Sequence, residues 1–155
     1  MPVKTVLTQE RIRSLRLSEP ARVSPDTSLA DSIRAMRRSS IGCAVVCAGR
    51  TVVGILTERD VLNTIVGADV DLRLPVREFM TAKPGTLGPD DTLAEAIRLM
   101  TEKGYRHVPL VDAEGQDAGI VCAKDLVEYI AEHFPAEVVN LPPRLHQVTR
   151  KPEGG

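Results

Sequence analysis

The sequence predicts an α+β (α/β-like) fold in which one β-α-β-β-α unit is written twice, the copies related by a pseudo-twofold and packed through their sheets. Three observations carry this. The chain repeats itself: Ser24 to Met36 laid over Gly88 to Met100 brings Pro, Asp, Leu, Ala, Ile, Arg and Met into coincidence, the signature of a duplicated structural unit. The apolar period also changes within each copy, from helical to strand-like spacing. Finally, a unit of about sixty residues buries only ~60% of its unfolded surface and is marginal alone. Two copies without a long flexible linker should therefore pack on each other, and the clefts where equivalent edges meet are natural ligand positions.

The repeat extends on both sides of that window. Ile12, Leu15 and Pro20 fall over Val76, Phe79 and Pro84. After a one-residue slip in a hairpin loop, Gly54-Ile55 and Asp60 fall over Gly119-Ile120 and Asp125. The first unit is placed at residues 8–70, the second at 72–134, and a Pro-rich, extended C-terminal arm without periodicity at 135–155.

Each copy opens on a lead-in predicted to be a short helix, Gln9 to Leu17 and Pro75 to Met80. Extended pieces follow, Ala21 to Val23 and Gly85 to Leu87. Leu29, Ile33 and Met36, like Leu93, Ile97 and Met100, fall at i, i+4 and i+7, one face of a helix. Ser28 and Thr92 precede these helices as N-caps, with Asp31 and Glu95 three positions on in capping-box spacing. Gly104 ends the second helix in the C′ role; the first copy has Ser40 there and Gly42 shortly after. Strand-like runs come next, Cys43 to Cys47 and Thr51 to Leu56, then His107 to Val111 and Ala118 to Val121. Ala48-Gly49-Arg50 and Ala113-Glu114-Gly115-Gln116 join them as hairpins. A second helix closes each unit, Asp60 to Val66 and Asp125 to His133.

Composition removes several classes of function. The 20 Lys and Arg against 21 Asp and Glu give a net charge of -1, so no protein-wide basic field exists for nucleic acid or an anionic membrane. Aromatics are 3% with no Trp, leaving little for base-stacking platforms. The longest apolar run, Cys43 to Ala48, is too short to span a bilayer, and the first residues lack the apolar stretch of a secretion signal. Three cysteines make no disulfide framework and point to a reducing cytoplasm. Cys43 and Cys47 lie ~13 Å apart along one strand, too far to share a zinc ion whose bound sulfurs sit within about 4 Å. No nucleophile motif or phosphate-binding loop occurs, so the sequence shows no catalytic machinery.

The chemistry concentrates where the last strand of each unit meets its closing helix. Gly54-Ile55-Leu56-Thr57-Glu58-Arg59-Asp60 and Gly119-Ile120-Val121-Cys122-Ala123-Lys124-Asp125 both place an acid and a cation at a helix start, which favours phosphate. Asp60 and Asp125 can accept two hydrogen bonds from adjacent hydroxyls, as carboxylates do with ribose. Arg59 and Lys124 suit phosphate contacts, and Gly54 and Gly119 would let a ligand approach the backbone. Helix capping is the alternative reading of Thr57-x-x-Asp60. Cys122 replaces the hydroxyl in the second copy while Asp125 and a cation persist, which favours a role beyond helix initiation. Arg106 and His107 form a second basic cluster at a strand start, where they could reach a phosphate; the alternative is a solvated loop. The first copy has Gly42-Cys43 there, so the two clefts would differ.

These residues resemble a known family. The duplicated pattern, Pro89-Asp90-Asp91-Thr92-Leu93, Tyr105-Arg106-His107-Val108-Pro109-Leu110-Val111-Asp112 and the Gly54 to Asp60 run are similar to a tandem pair of cystathionine β-synthase (CBS) domains, a Bateman module, over about residues 10 to 134. The resemblance implies a non-enzymatic regulatory module that requires no cofactor. Its ligand would be adenine-containing: AMP, ADP or ATP, or alternatively S-adenosylmethionine. The family's ribose motif maps fully onto Gly54, Thr57 and Asp60, and onto Gly119 and Asp125 with a departure at Cys122. Its basic pair maps onto Arg106 and His107. Adenine contacts map near Arg22-Val23 and Ala44 for one cleft, and near Thr86 and Val108 for the other. The family also implies a disk-shaped homodimer, and the expected effector is a separate protein, because nothing is fused downstream of the second unit. Two rival readings are a structural dimerisation scaffold with vestigial clefts, and a nucleic-acid regulator using the arm around Arg144, His146, Arg150 and Lys151.

Overall fold

The apolar periodicity of each copy becomes a helix packed on a small sheet. The structure is a computed structural model describing residues 2–67 and 69–136; the arm beyond residue 136, with its basic residues, lies outside them. The elements run α1 (Val3–Gln9), β1 (Ala21–Val23), α2 (Leu29–Arg38), β2 (Cys43–Ala48), β3 (Thr51–Thr57), α3 (Glu58–Gly67), β4 (Thr81–Ala82), α4 (Leu93–Lys103), β5 (His107–Val111), β6 (Asp117–Cys122) and α5 (Ala123–His133). Short 3-10 turns at Ile12–Ser14 and Val76–Glu78 precede the units. In the first unit β1 lies parallel to β2, β2 and β3 form an antiparallel hairpin, and β4 adds antiparallel to β3. In the second, β5 and β6 form the matching hairpin. The caps follow the sequence reading: Ser28 accepts from the Asp31 N–H, Thr92 and Glu95 form a full capping box, and Gly104 closes α4 in the left-handed region.

Three apolar clusters hold the molecule together. Leu29, Met36, Ala44, Val46, Leu56 and Val76 fill the first unit. Leu93, Met100, Val108, Leu110, Val121 and Leu126 are among those filling the second. Between the sheets lie Ile41, Cys43, Val45, Ile55, Ile120 and Cys122, the opposite face of the same strands. The pseudo-twofold pair thus packs through its sheets.

Three of the expected elements take a different form. The helix expected over Gln9 to Leu17 is instead the end of α1, an extended Glu10 and a 3-10 turn. The Ile12 and Arg13 N–H groups donate to the Asp91 and Pro89 carbonyls, and Leu93 N–H to Glu10. Ile12 and Leu15 are buried in the second unit. The lead-in expected to be helical over Pro75 to Met80 narrows to a 3-10 turn and docks reciprocally on the first unit, with Val76 N–H donating to Thr27 and Leu29 N–H to Leu74. Arg13–Asp90 and Arg77–Asp26 are the matching ion pairs. Each lead-in satisfies its backbone against the other copy, so it has no need of a helix of its own. The strand expected over Gly85 to Leu87 shrinks to a single parallel bridge, Leu87 to Leu110. Val111 N–H donates to Leu87, but the next inward donor would be Pro109, which has no N–H.

Candidate functional site

β3 runs into α3 without a loop, and that junction builds the site. α3 begins at Glu58, so Thr57 holds the N-cap position and Asp60 lies three residues on. The Thr57 N–H and hydroxyl donate to Asp60 Oδ2 at 2.9 and 3.0 Å, and the Asp60 N–H donates to Thr57 Oγ1 at 3.3 Å. This is a reciprocal cap. Asp60 thus caps α3 while remaining half-buried at a cavity. A third donor, the Thr81 hydroxyl, reaches Asp60 Oδ1 at 3.2 Å.

The cavity holds about 470 Å³ and opens between the two units, within the range of roughly 300–1,000 Å³ typical of small-molecule sites. Thr57, Glu58, Arg59 and Asp60 line it from the first unit, Thr81, Pro84 and Gly85 from the second lead-in, and Tyr105, Arg106 and His107 from the second unit. Arg59 and Arg106 are exposed, and among the described residues neither pairs with a carboxylate. With the Glu58 and Arg59 N–H groups at the α3 start, they give the cavity acceptor-seeking groups beside the hydroxyl-seeking Asp60 carboxylate.

His107 lines the cavity and also makes a bond across the two units. Its Nε2 lies 2.9 Å from the Ile41 carbonyl, which can only accept, so Nε2 carries the proton and Nδ1 of the neutral ring is an acceptor. Burial pushes the imidazole below its ordinary value; the Ile41 carbonyl, Glu58 and Asp125 oppose this, and Arg106 adds to it. The Nε2 bond ties the two units together, and the ring also lines the cavity. The unfolded ring titrates near 6.5 and the folded ring lower, so in that window the unfolded chain binds more protons and stability falls as pH falls. Urea unfolding between pH 5 and 8 should show this component, and His107→Gln, which keeps the donor without titrating, should remove it. An unchanged pH profile in the variant would refute the assignment.

The other expected residues do not join this cavity. Ala44 and Val108 are fully buried in the two unit cores, and Val23 packs against the first. Thr86 is exposed beside Asp91 and Glu95, in a separate depression. Lys124 is exposed and faces Glu128 at 4.0 Å. Asp125 is only 3% exposed, accepting from the Cys122 N–H at 3.0 Å and the Ser18 hydroxyl at 2.9 Å. These two bonds give Asp125 a structural role beyond helix initiation, because one of them ties α5 to Ser18. Ile41 and Cys43, the counterparts of Tyr105 and His107, are buried and pack with Ile120 and Cys122 where the second cleft would lie. Burial there pushes the Cys122 thiol up to about 12, and Cys43 higher still, so both are inert thiols.

The glycines also serve the fold. A Cβ on Gly54 would overlap the Met80 sulfur, so this glycine admits Met80. Gly119 stands at φ +112°, a conformation that favours glycine.

The residues that sequence reasoning missed, chiefly Thr81 and Tyr105, come to the site through tertiary contacts. Among the described residues no three His, Cys, Asp or Glu side chains group to hold a metal ion, and no helix is long and apolar enough to cross a membrane.

A twice-written α+β unit whose halves meet sheet to sheet, with a polar cleft at one strand–helix junction, defines a tandem CBS-domain module. The CBS domain family model matches residues 12–67 and 76–132, and the chain belongs to that family. An uncharacterized 17.7 kDa protein of Acidianus ambivalens is 31% identical over 111 residues, covering 71% of this chain and 66% of that protein. Inosine-5'-monophosphate dehydrogenase of Korarchaeum cryptofilum is 35% identical over 117 residues, 76% of this chain but 24% of the enzyme. The chain thus spans less than two thirds of either relative. A CBS domain protein from Pyrobaculum aerophilum, solved in complex with AMP, shares the fold with a TM-score of 0.70 at 21% identity, covering 79% of this chain and 99% of that one.

Proposed function

We propose that this chain is a cytoplasmic, non-enzymatic regulatory module that binds an adenine nucleotide of the AMP, ADP or ATP class in the cleft between its units. The observation that carries this reading is one cavity lined by the Asp60 carboxylate from the first unit and by Arg106 from the second. Asp60 receives the ribose hydroxyls; Arg59, Arg106 and the α3 start receive phosphate. The AMP bound by the Pyrobaculum relative supports the ligand class. Because the contacts come from both units, a bound nucleotide favours one relative arrangement over another and shifts the population between them.

The helix that carries Asp60 also exposes Leu62, Ile65 and Val66 at 63%, 55% and 86%, and α5 exposes Val127 at 66%. Exposed apolar side chains on these two helices suit a second copy of the chain, and the homodimer would relay the shift to a separate effector protein.

The filled Asp125 cleft limits binding to one nucleotide per chain. Calorimetry with AMP, ADP and ATP should give saturable binding at that stoichiometry, with thermal stability rising with ligand concentration. No heat and no stabilisation at millimolar nucleotide would favour the scaffold reading, for which the filled cleft already provides one vestigial site.

A further inference from the structure

We infer that Thr81 is a positioning residue of the cleft, whose hydroxyl aims the Asp60 carboxylate at a sugar hydroxyl. This inference rests on the nucleotide reading above. A carboxylate oxygen offers about two acceptor positions. On Asp60, Oδ2 takes both the N–H and the hydroxyl of Thr57, so it is saturated. Oδ1 takes the Thr81 hydroxyl alone, at 3.2 Å. Oδ1 is therefore the oxygen with capacity for a ligand, and Thr81 sets the direction of its remaining lone pair.

The delivery of Thr81 is built into the sheet. β4 docks on β3 in the register Thr81 to Ile55 and Ala82 to Gly54. Met80 lies over Gly54, where a side chain would collide with its sulfur. Lys83, at φ 49° and alone among the described non-glycine residues in having positive φ, then turns the chain toward Pro84 and Gly85, which line the same cavity. Left-handed backbone is uncommon for a residue with a side chain. Thr81 itself is exposed, so water could satisfy its hydroxyl; the bond to Asp60 is not needed to rescue a buried group. In the filled cleft a hydroxyl from the other lead-in, Ser18, binds Asp125, but there the acid is enclosed.

Calorimetry of wild type, Thr81→Val and Thr81→Ser with AMP and with 2′,3′-dideoxyadenosine monophosphate tests this. Thr81→Val should weaken AMP binding about three- to tenfold, the value of one hydrogen bond, and Thr81→Ser should restore it. The dideoxy compound should bind wild type and Thr81→Val alike, because it brings no hydroxyl to Asp60. Equal losses for both nucleotides would make Thr81 merely structural, and an unchanged AMP affinity in Thr81→Val would likewise overturn the inference; Thr81→Ala serves the same comparison if valine shifts β4. A wild type that binds neither compound would instead overturn the nucleotide reading, and this inference with it.

Discussion

Asp60→Ala is expected to lower AMP affinity about ten- to a hundredfold, the range spanned by losing hydrogen bonds to a charged acceptor. The carboxylate is half-buried at the cavity and retains acceptor capacity on Oδ1. Alanine removes that acceptor together with its negative charge. The same change strips the acceptor from the Thr57 N–H and hydroxyl, which should cost about 1 kcal/mol of stability as a lost cap, too little to unfold a domain. Asp60→Asn, which keeps one oxygen but no charge, should fall between wild type and alanine. Isothermal calorimetry reads the affinity and thermal unfolding the cap. An Asp60→Ala protein that binds AMP as tightly as wild type would remove the ribose contact from the mechanism.

Asp125→Ala, at the equivalent position of the second copy, should do the reverse. It should destabilise the fold by about 1–3 kcal/mol, because the Cys122 N–H and the Ser18 hydroxyl would lose their acceptor in a buried place. Asp125 is 3% exposed and holds both donors. Nucleotide affinity and stoichiometry should not change. Urea unfolding measures the first and calorimetry the second. A drop in stoichiometry on Asp125→Ala would mean that the second cleft binds ligand after all.

The pair shows how far the sequence carries the site. Asp60 and Asp125 are aligned by the repeat, flanked by Arg59 and Lys124, and preceded by Gly54 and Gly119. Local pattern makes them look equivalent. What separates them is the opposing unit, which presents Tyr105, Arg106 and His107 to Asp60 but the buried Ile41 and Cys43 to the other cleft. The notion that two clefts would differ was legible from Gly42-Cys43. That one of them is filled depends on side-chain volumes meeting across the sheet interface, and no local period encodes those. His107 was legible as a cation at a strand start, but its proton is committed to Ile41, sixty-six residues away.

By itself the sequence determined the duplicated unit, the capped helices α2 and α4, both hairpins and the strand–helix junctions that carry Thr57 and Asp60. These rest on interactions between residues a few positions apart, such as apolar period, capping spacing and turn chemistry, which are written in order along the chain. Only the tertiary structure decided that each lead-in serves the opposite unit, that Pro109 cuts an expected strand to one bridge, that Met80 occupies the space left by Gly54, and that Thr81 meets Asp60. In each of these a hydrogen-bonding group or a volume is completed by a residue far away in sequence, and which distant partner completes it is settled only when the two copies pack.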